Sequence, residues 1–99
     1  VMNDSFGRPW RYGTTAVAIG AAGIPSLWDR RGDHDLFGRE LKVSQQAVAD
    51  ELANAASLLQ GQGAEASPVV LIRGMTFDPS IQNRPAADLI RDPSQDLFR

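Results

Sequence analysis

The sequence predicts a mixed α+β fold, in which a small, mostly antiparallel sheet of about four or five strands packs against one long amphipathic helix. Period-two alternation of apolar residues marks several short strands, and residues 47–59 repeat their apolar positions at helical spacing. The chain has 99 residues, near the common size of one domain, so we expect one core.

The first part of the chain predicts two strands separated by a loop. Residues 1–5 start extended, and residues 6–13 place two glycines and a proline among aromatic and basic side chains, which interrupts any regular period. In residues 14–20, Val17 and Ile19 share one face and small side chains share the other. These small side chains should let a second layer approach closely.

Residues 24–31 and 39–43 are predicted to be two strands of a hairpin. The connecting stretch GDHDLFG is acidic and is bracketed by Gly32 and Gly38, which is typical of a turn. Asp33, His34 and Asp35 in this stretch invite a metal interpretation. Because adjacent turn residues point in different directions, a solvated hairpin tip is the better interpretation.

The long helix is the clearest element of the sequence. Ser44 is a good N-cap residue, and Gly61 and Gly63 mark the end of the helix. Its apolar stripe is predicted to contain Ala47, Val48, Leu52, Ala55, Ala56 and Leu59, with Asp50, Glu51 and Asn54 away from that stripe.

After the helix, PVVLIR at residues 68–73 is a short β-branched run that predicts a buried strand. From Gly74 onward the chain should be irregular. Residues 78–93 carry three prolines and many polar side chains, so at most one helical turn is expected there, at residues 86–90.

Composition limits the classes of function. The formal net charge is −2, which gives no basic surplus for binding nucleic acid. The absence of cysteine excludes disulfides and thiolate metal sites. The longest nearly apolar run, TAVAIGAAGI, is too short to span a bilayer, so we expect a cytoplasmic protein without a membrane segment.

Two segments carry candidate chemistry. Asp4 and Ser5 are either a polar strand end or ligands of a hard cation such as Mg²⁺ or Mn²⁺, which accepts carboxylate and hydroxyl oxygen. Nearby, Arg8 and Arg11 either make bidentate contacts with a carboxylate or phosphate, or stack as surface arginines on Trp10.

The second segment is the GQG turn after the helix. It is not a Rossmann fingerprint, because that motif has its glycines between a strand and a following helix, and no GK[ST] motif is present. The turn either simply ends the helix or aims backbone amides at phosphate oxygens. No serine, histidine and carboxylate arrangement supports nucleophilic acyl chemistry.

Three stretches together resemble one known family along the whole chain. They are NDSFGRPWRYGTTAVAIGAAGIPSL, DLFGRELKVSQQAVADELANAASLLQGQGAEASPVVLIRG and AADLIRDPSQDLFR, and they are similar to the coenzyme F420-0:L-glutamate ligase family, also called coenzyme F420:gamma-glutamyl ligase. The resemblance implies a GTP-dependent ligase that joins L-glutamate to coenzyme F420-0 through γ-glutamyl linkages. It further implies divalent cations (Mn²⁺ or Mg²⁺), K⁺ and a homodimeric full-length enzyme.

The resemblance also carries residue roles to this sequence. It implies metal ligands at Asp4, Ser5 and Gln62, and it leaves Arg8 and Arg11 as candidates for phosphate or substrate contacts. The nucleotide would contact the loop after the helix, which consists of Gln60, Gly61, Gln62, Gly63, Ala64, Glu65, Ala66 and Ser67.

Family chains are longer, so residues 1–99 are expected to be the carboxyl-terminal portion of the ligase domain. The earlier part of a family chain supplies further nucleotide contacts and another metal-binding aspartate, so these 99 residues alone are expected to be inactive. Asn3 stands where the family usually has serine. Ala16 stands where some relatives have a polar or acidic residue. The alternative function is a non-catalytic fragment of the same fold that binds a nucleotide or a partner.

Overall fold

The computed structural model describes residues 1–98 and confirms the mixed α+β fold. The described elements are two antiparallel strand pairs, one α-helix and two short 3-10 helices. In chain order they are β1 Met2–Phe6, β2 Thr15–Gly20, β3 Trp28–Asp29, β4 Gln45–Gln46, α1 Val48–Gln60, and the 3-10 helices Ala86–Leu89 and Pro93–Gln95. Among residues 1–98, no helix has the length and apolar character needed to cross a bilayer.

The pairing of β1 with β2 places the candidate metal ligands in the middle of a strand. The two strands run antiparallel, with Asp4 opposite Val17 and Ser5 opposite Ala16. The register shifts between Met2 and the next residue of β1. Thus the two strands expected at the start of the chain are both present.

Helix α1 closes the other edge of β2 with two polar side chains. The Nδ2 atom of Asn54 donates to Ala16 O at 2.8 Å, and its Oδ1 accepts from Ala16 N at 3.1 Å. One turn earlier, Asp50 Oδ1 accepts from Ala18 N at 2.8 Å. These contacts occupy backbone groups that a further strand would otherwise pair with.

The predicted apolar stripe of α1 was therefore partly wrong. The fully buried helix residues are Val48, Ala49 and Ala53, whereas Leu59 is 68% exposed. Leu52 and Ala56 are half-buried as expected, but Ala55 is exposed. The stripe rotates because Asp50 and Asn54 bond to β2, so the residues beside them face the sheet. Small alanines at this contact allow the close approach that the sequence predicted.

The predicted N-cap at Ser44 was also wrong. The cap residue is Ala47, and no side chain caps the helix start. Ser44 instead belongs to the preceding hairpin, where its carbonyl accepts from Arg30 N at 3.0 Å. The helix end was predicted correctly, since Gly61 follows the last helical residue with φ 72.

The hairpin forms, but its strands are shorter than predicted. Strand β3 pairs with β4 at Gln45–Gln46, not with the expected strand at residues 39–43. Between them, single contacts such as Leu41 N to Asp33 O at 2.7 Å continue an irregular antiparallel arrangement. Asp35 Oδ1 accepts from the Phe37 and Arg39 amides, so the tip is held as a turn and regular pairing is lost.

The buried strand predicted at residues 68–73 was wrong for the described structure. These residues are irregular, and Val69 and Leu71 have 87% and 72% of their surface exposed. No strand among residues 1–98 lies beside them to complete a ladder. Without a neighbouring strand, β-branched composition alone does not produce strand structure.

The last quarter of the described chain is irregular, as expected. The predicted helical turn at 86–90 is the 3-10 helix Ala86–Leu89, and a second one occurs at Pro93–Gln95. Two Asp-Pro-Ser turns share one geometry, in which the aspartate accepts from the serine amide at 2.8 Å and the serine hydroxyl at 2.6 Å. These bonds lower the pKa of Asp78 and Asp92, because the serine donors favour the ionised carboxylate.

Candidate functional site

A pocket of about 340 Å³ lies between β1 and the turn that follows α1. Strand β1 contributes three adjacent polar residues, and the end of the helix contributes the glycine turn. The lining residues are Asn3, Asp4, Ser5, Ala16, Ser57, Gln60, Gly61, Gln62 and Gly63. Both ends of the candidate site, which are separated by more than fifty positions in the sequence, therefore meet in one pocket.

Asp4 and Ser5 present oxygen atoms that are free within the described chain. Asp4 Oδ1 accepts from the Ser5 amide at 2.8 Å, which fixes the carboxylate locally. Among residues 1–98, neither the other carboxylate oxygen nor the Ser5 hydroxyl has a hydrogen-bond partner. Both residues are exposed. Carboxylate and hydroxyl oxygen, together with the amide oxygen of Gln62, are the donor types that Mg²⁺ and Mn²⁺ accept.

The glycine turn already binds an anionic oxygen. The backbone amide of Gly63 donates to Glu65 Oε2 at 2.8 Å. A Cβ atom at Gly61 would overlap the Glu65 carboxyl group, so the carboxyl can fold over the turn only because Gly61 has no side chain. A phosphate oxygen and a carboxylate oxygen satisfy an amide in the same way. The Gly63 amide is thus suited to a phosphate oxygen.

Asn3 was not predicted as a site residue, yet it joins the two halves of the pocket. Its Nδ2 atom donates to Gln60 Oε1 at 2.8 Å and to Ala53 O at 3.3 Å. Gln60 Nε2 in turn donates to Pro68 O at 2.9 Å. We refer to Asn3, Gln60 and Pro68 as the amide bridge. In the sequence, the only indication of this role was that Asn3 is a polar amide residue next to Asp4.

Sequence comparison places this chain among known proteins. The sequence model of the F420-0:Gamma-glutamyl ligase family matches residues 1–74, a range that contains every predicted site residue. The chain belongs to the F420-0:gamma-glutamyl ligase family. The "Coenzyme F420:L-glutamate ligase" of Methanocaldococcus jannaschii is 48% identical over 99 residues, which are 100% of this chain and 39% of that protein.

Two further relatives of the ligase family carry the same name. The protein of Methanopyrus kandleri is 48% identical over 103 residues, with 100% of this chain and 40% of the relative covered. The protein of Haloarcula marismortui is 41% identical over 99 residues, with 100% and 37% covered. The chain therefore spans about two fifths of the length of the curated relatives it matches.

The remaining predicted nucleotide contacts of this ligase-family chain lie outside the pocket lining. Residues 64–67 are exposed and form the outer part of the turn, where Ala66 adopts a positive φ of 53. Within this outer part, the Ser67 hydroxyl donates to Glu65 O at 3.4 Å. The pocket thus receives the first half of the predicted loop, from Gln60 to Gly63.

The two arginines are likewise not brought to the pocket. Arg11 lines a separate surface depression with Trp10 and Tyr12, and Arg8 is exposed. The alternative in which these arginines stack on Trp10 was wrong: the Trp10 ring packs against Phe98, with centroids 5.3 Å apart. Within the described residues, the cation–π contact is that of Arg30 over Trp28, at 4.5 Å.

The acidic hairpin tip is a structural turn, as predicted. Asp33 accepts from Arg30 Nε at 2.7 Å, and Asp35 accepts from two backbone amides. Nowhere in residues 1–98 do three histidine, cysteine, aspartate or glutamate side chains form a group suited to a metal ion. In the pocket of this family member, Asp4 is the one carboxylate among the lining residues.

Proposed function

We propose that this chain is part of a GTP-dependent ligase that joins L-glutamate to coenzyme F420-0 through a γ-glutamyl linkage. The observation that carries the proposal is the meeting of Asp4, Ser5 and Gln62 in one pocket beside a glycine turn. Membership of the F420-0:gamma-glutamyl ligase family supports it. The relatives also support it, since they are named as ligases of coenzyme F420 and L-glutamate.

The proposed reaction follows from the chemistry of amide formation. A free carboxylate resists attack by an amine, so one carboxylate oxygen first takes the γ-phosphoryl group of GTP, giving an acyl phosphate and GDP. The amine of glutamate then attacks the acyl carbon. The carbon–oxygen bond to phosphate breaks, and inorganic phosphate and a proton leave. Phosphoryl transfer of this kind depends mainly on positioning and on stabilising charge.

The chain's own residues supply positioning in this proposal. The Gly63 amide exchanges the Glu65 carboxylate for a phosphate oxygen of the nucleotide. Asp4, Ser5 and Gln62 would hold the cation, and the other loop residues up to Ser67 would cover the nucleotide. When bound, Mn²⁺ or Mg²⁺, together with K⁺, supplies positive charge that offsets the charge of the phosphoryl group. We propose Arg8 and Arg11 as contacts for anionic substrate groups outside the pocket.

Activity of a complete ligase fold tests this proposal. In a chimera, these 99 residues replace the matched stretch of the Methanocaldococcus jannaschii protein. We expect it to convert F420-0, L-glutamate and GTP into a glutamylated product, with one GDP and one phosphate released per linkage. Mass spectrometry and phosphate release measure the stoichiometry. ATP in place of GTP is the control. Product formation without nucleotide consumption would contradict the acyl phosphate route.

A second function is favoured by the single carboxylate of the pocket. With Asp4 as the only acidic lining residue, the 99-residue chain by itself would bind a nucleotide or a partner without turnover. Calorimetric titration of the purified chain with GTP and Mn²⁺, alongside the activity of the chimera, separates the two functions. Binding by the chain combined with an inactive, folded chimera would favour the non-catalytic function.

A further inference from the structure

The chain exposes more surface than a self-contained protein of its mass. Its accessible surface is 7883 Å², whereas a folded monomer of 10.7 kDa is expected to expose about 5,500 Å². Its radius of gyration is 15.3 Å, compared with about 13 Å for a compact domain of this length. The excess of roughly 2,400 Å² on one partner lies within the range of obligate interfaces.

The hydrophobic core is also small for a self-contained protein of this length. The buried apolar residues within the described chain are few and mostly alanines, and Val48 is the largest side chain that is fully buried there. Large apolar side chains lie instead on the surface. A small core of alanines buries little apolar area, so it contributes little to the free energy of folding. The missing stabilisation must come from a surface that is covered in the working protein.

One surface combines apolar side chains with unpaired backbone, and we call it the open face. It consists of residues 69–72 together with Met75 and Phe77. All of these residues except Leu71 line a pocket of about 310 Å³. Val70 is half-buried, whereas Val69 and Leu71 are largely exposed. The segment therefore carries apolar side chains both toward the pocket and toward solvent, as a strand covered on two sides does.

The backbone of the segment is also without partners. Pro68 O is held by Gln60, but residues 69–73 make no backbone hydrogen bond within the described chain. Unpaired backbone groups beside β-branched side chains are what β-strand addition requires. The amide bridge anchors one end of the segment, so the segment is held in place for such pairing.

We propose that residues 69–73 form a strand of a sheet that is completed by the part of the ligase fold lying outside the matched stretch of the relatives. The matched stretch is 39% of the Methanocaldococcus jannaschii protein, so a larger part of that fold lies outside it. That part is long enough to supply both neighbouring strands and a covering layer. A second copy of this chain would bring the same small core. The inference rests on family membership and not on the proposed reaction. An experiment could therefore disprove the strand pairing without disproving the reaction, and the reverse also holds.

Complementation between two polypeptides tests the inference. The 99-residue chain is mixed with the residues of the Methanocaldococcus jannaschii ligase outside the matched stretch, expressed as a separate polypeptide. We expect a one-to-one complex by light scattering, and exchange of the amides of residues 69–73 slowed ~100-fold relative to the chain alone. A complex in which these amides exchange as fast as before would overturn the proposal, as would the absence of a complex.

Matched variants locate the contact. Leu71→Asp, on the open face, should abolish the complex, because it buries an unpaired charge. Leu36→Asp should leave the complex intact, since Leu36 is 99% exposed in the hairpin tip and is not part of the open face. Equal effects of the two substitutions would count against the open face. Slowed exchange at residues 69–73 in a homodimer of the chain alone would assign the face to a second copy and overturn the proposal.

The chimera described above provides an independent measurement if either polypeptide precipitates when expressed separately. In the folded chimera, residues 69–73 should show the same slowed amide exchange. Rapid exchange of these amides in a chimera whose other helix and strand amides are protected would overturn the proposal without any reference to activity.

Discussion

The Nδ2 atom of Asn3 donates to Oε1 of Gln60 at 2.8 Å, which ties strand β1 to the last residue of helix α1. This bond lies between the candidate metal ligands and the glycine turn. Its partner bond, from Gln60 Nε2 to Pro68 O, extends the connection to the open face. The amide bridge thus ties strand β1 to the end of α1 and to the start of the open face, both of which lie more than fifty positions further along the chain.

Removing the amide bridge should weaken the fold. Asn3→Ala leaves Gln60 Oε1 without its donor, and we expect a loss of about 1–2 kcal/mol in the free energy of unfolding of the chimera. Denaturant unfolding measures the change. Asn83→Ala is the matched control, because Asn83 is exposed and its side chain makes no hydrogen bond within residues 1–98, so its effect should stay within about 0.5 kcal/mol. Equal losses for the two variants would show that the bridge contributes nothing.

Replacing Asp4 should affect turnover more than stability. Asp4→Asn keeps a local hydrogen-bond acceptor for the Ser5 amide but loses the negative charge that a divalent cation requires. We expect kcat/KM of the chimera at limiting Mn²⁺ to fall by at least ~100-fold, with little change in thermal stability. The control is Asp78→Asn, since Asp78 also accepts from a neighbouring backbone amide but lies outside the pocket. Near-normal turnover of Asp4→Asn would remove Asp4 from the metal site.

A side chain at Gly63 should weaken nucleotide binding. The backbone of Gly63 has no positive φ, so Gly63→Val adds a branched group without forcing strain. That group would cover the amide that now donates to Glu65, and we expect Kd for GTP to rise about 10-fold by calorimetry. Gly7→Val is the control, because a Cβ at Gly7 meets open space. An unchanged Kd would return the turn to a purely structural role.

The ion pair of Asp29 with Arg31 predicts an unusual titration. Side-chain hydrogen bonds from Arg31 lower the pKa of Asp29 to about 2, and the Arg31 backbone amide adds to the effect. Because the folded pKa is lowered, the stabilisation is complete above the unfolded pKa and is lost as pH falls through about 2. Asp29 is exposed, so the effect on stability is small and salt reduces it.

Carboxyl chemical shifts recorded against pH measure the Asp29 titration directly. Arg31→Gln should return the pKa of Asp29 toward its ordinary value of 3.8. Arg91→Gln should leave it where it was, since Arg91 is exposed and makes no ion pair among residues 1–98. If both substitutions gave the same pKa, the Arg31 contact would not be its cause.

The sequence predicted those parts of the fold whose local signals agree with their surroundings. Strands β1 and β2 and the end of α1 at Gly61 are set by alternation and by a helix-ending glycine, and both signals act over a few residues. The two parts of the candidate site, Asp4 with Ser5 and the glycine turn after α1, could also be identified from the sequence. Their meeting in one pocket required the packing of α1 on β2, which no local pattern specifies.

The errors occurred where tertiary contacts outweighed local preference. Asp50 and Asn54 have the polarity of a solvated helix face, yet they bond to backbone groups of β2 and rotate the helix. Residues 69–73 have the composition of a buried strand, but strand structure needs a neighbour to pair with. Asn3 was missed because its role depends on a partner more than fifty residues away.

The side chains of α1 leave the β1–β2 sheet with one edge at which a further strand can pair, the edge formed by β1. Asn54 and Asp50 accept from the outward-facing backbone amides of β2. A further strand would therefore find no free amides to pair with on that edge. Enlargement of this sheet must therefore proceed from the β1 flank, directly alongside Asp4 and Ser5. Any strand added there would lie next to the candidate cation ligands, so the segment that widens the sheet could also contribute side chains to the cation site.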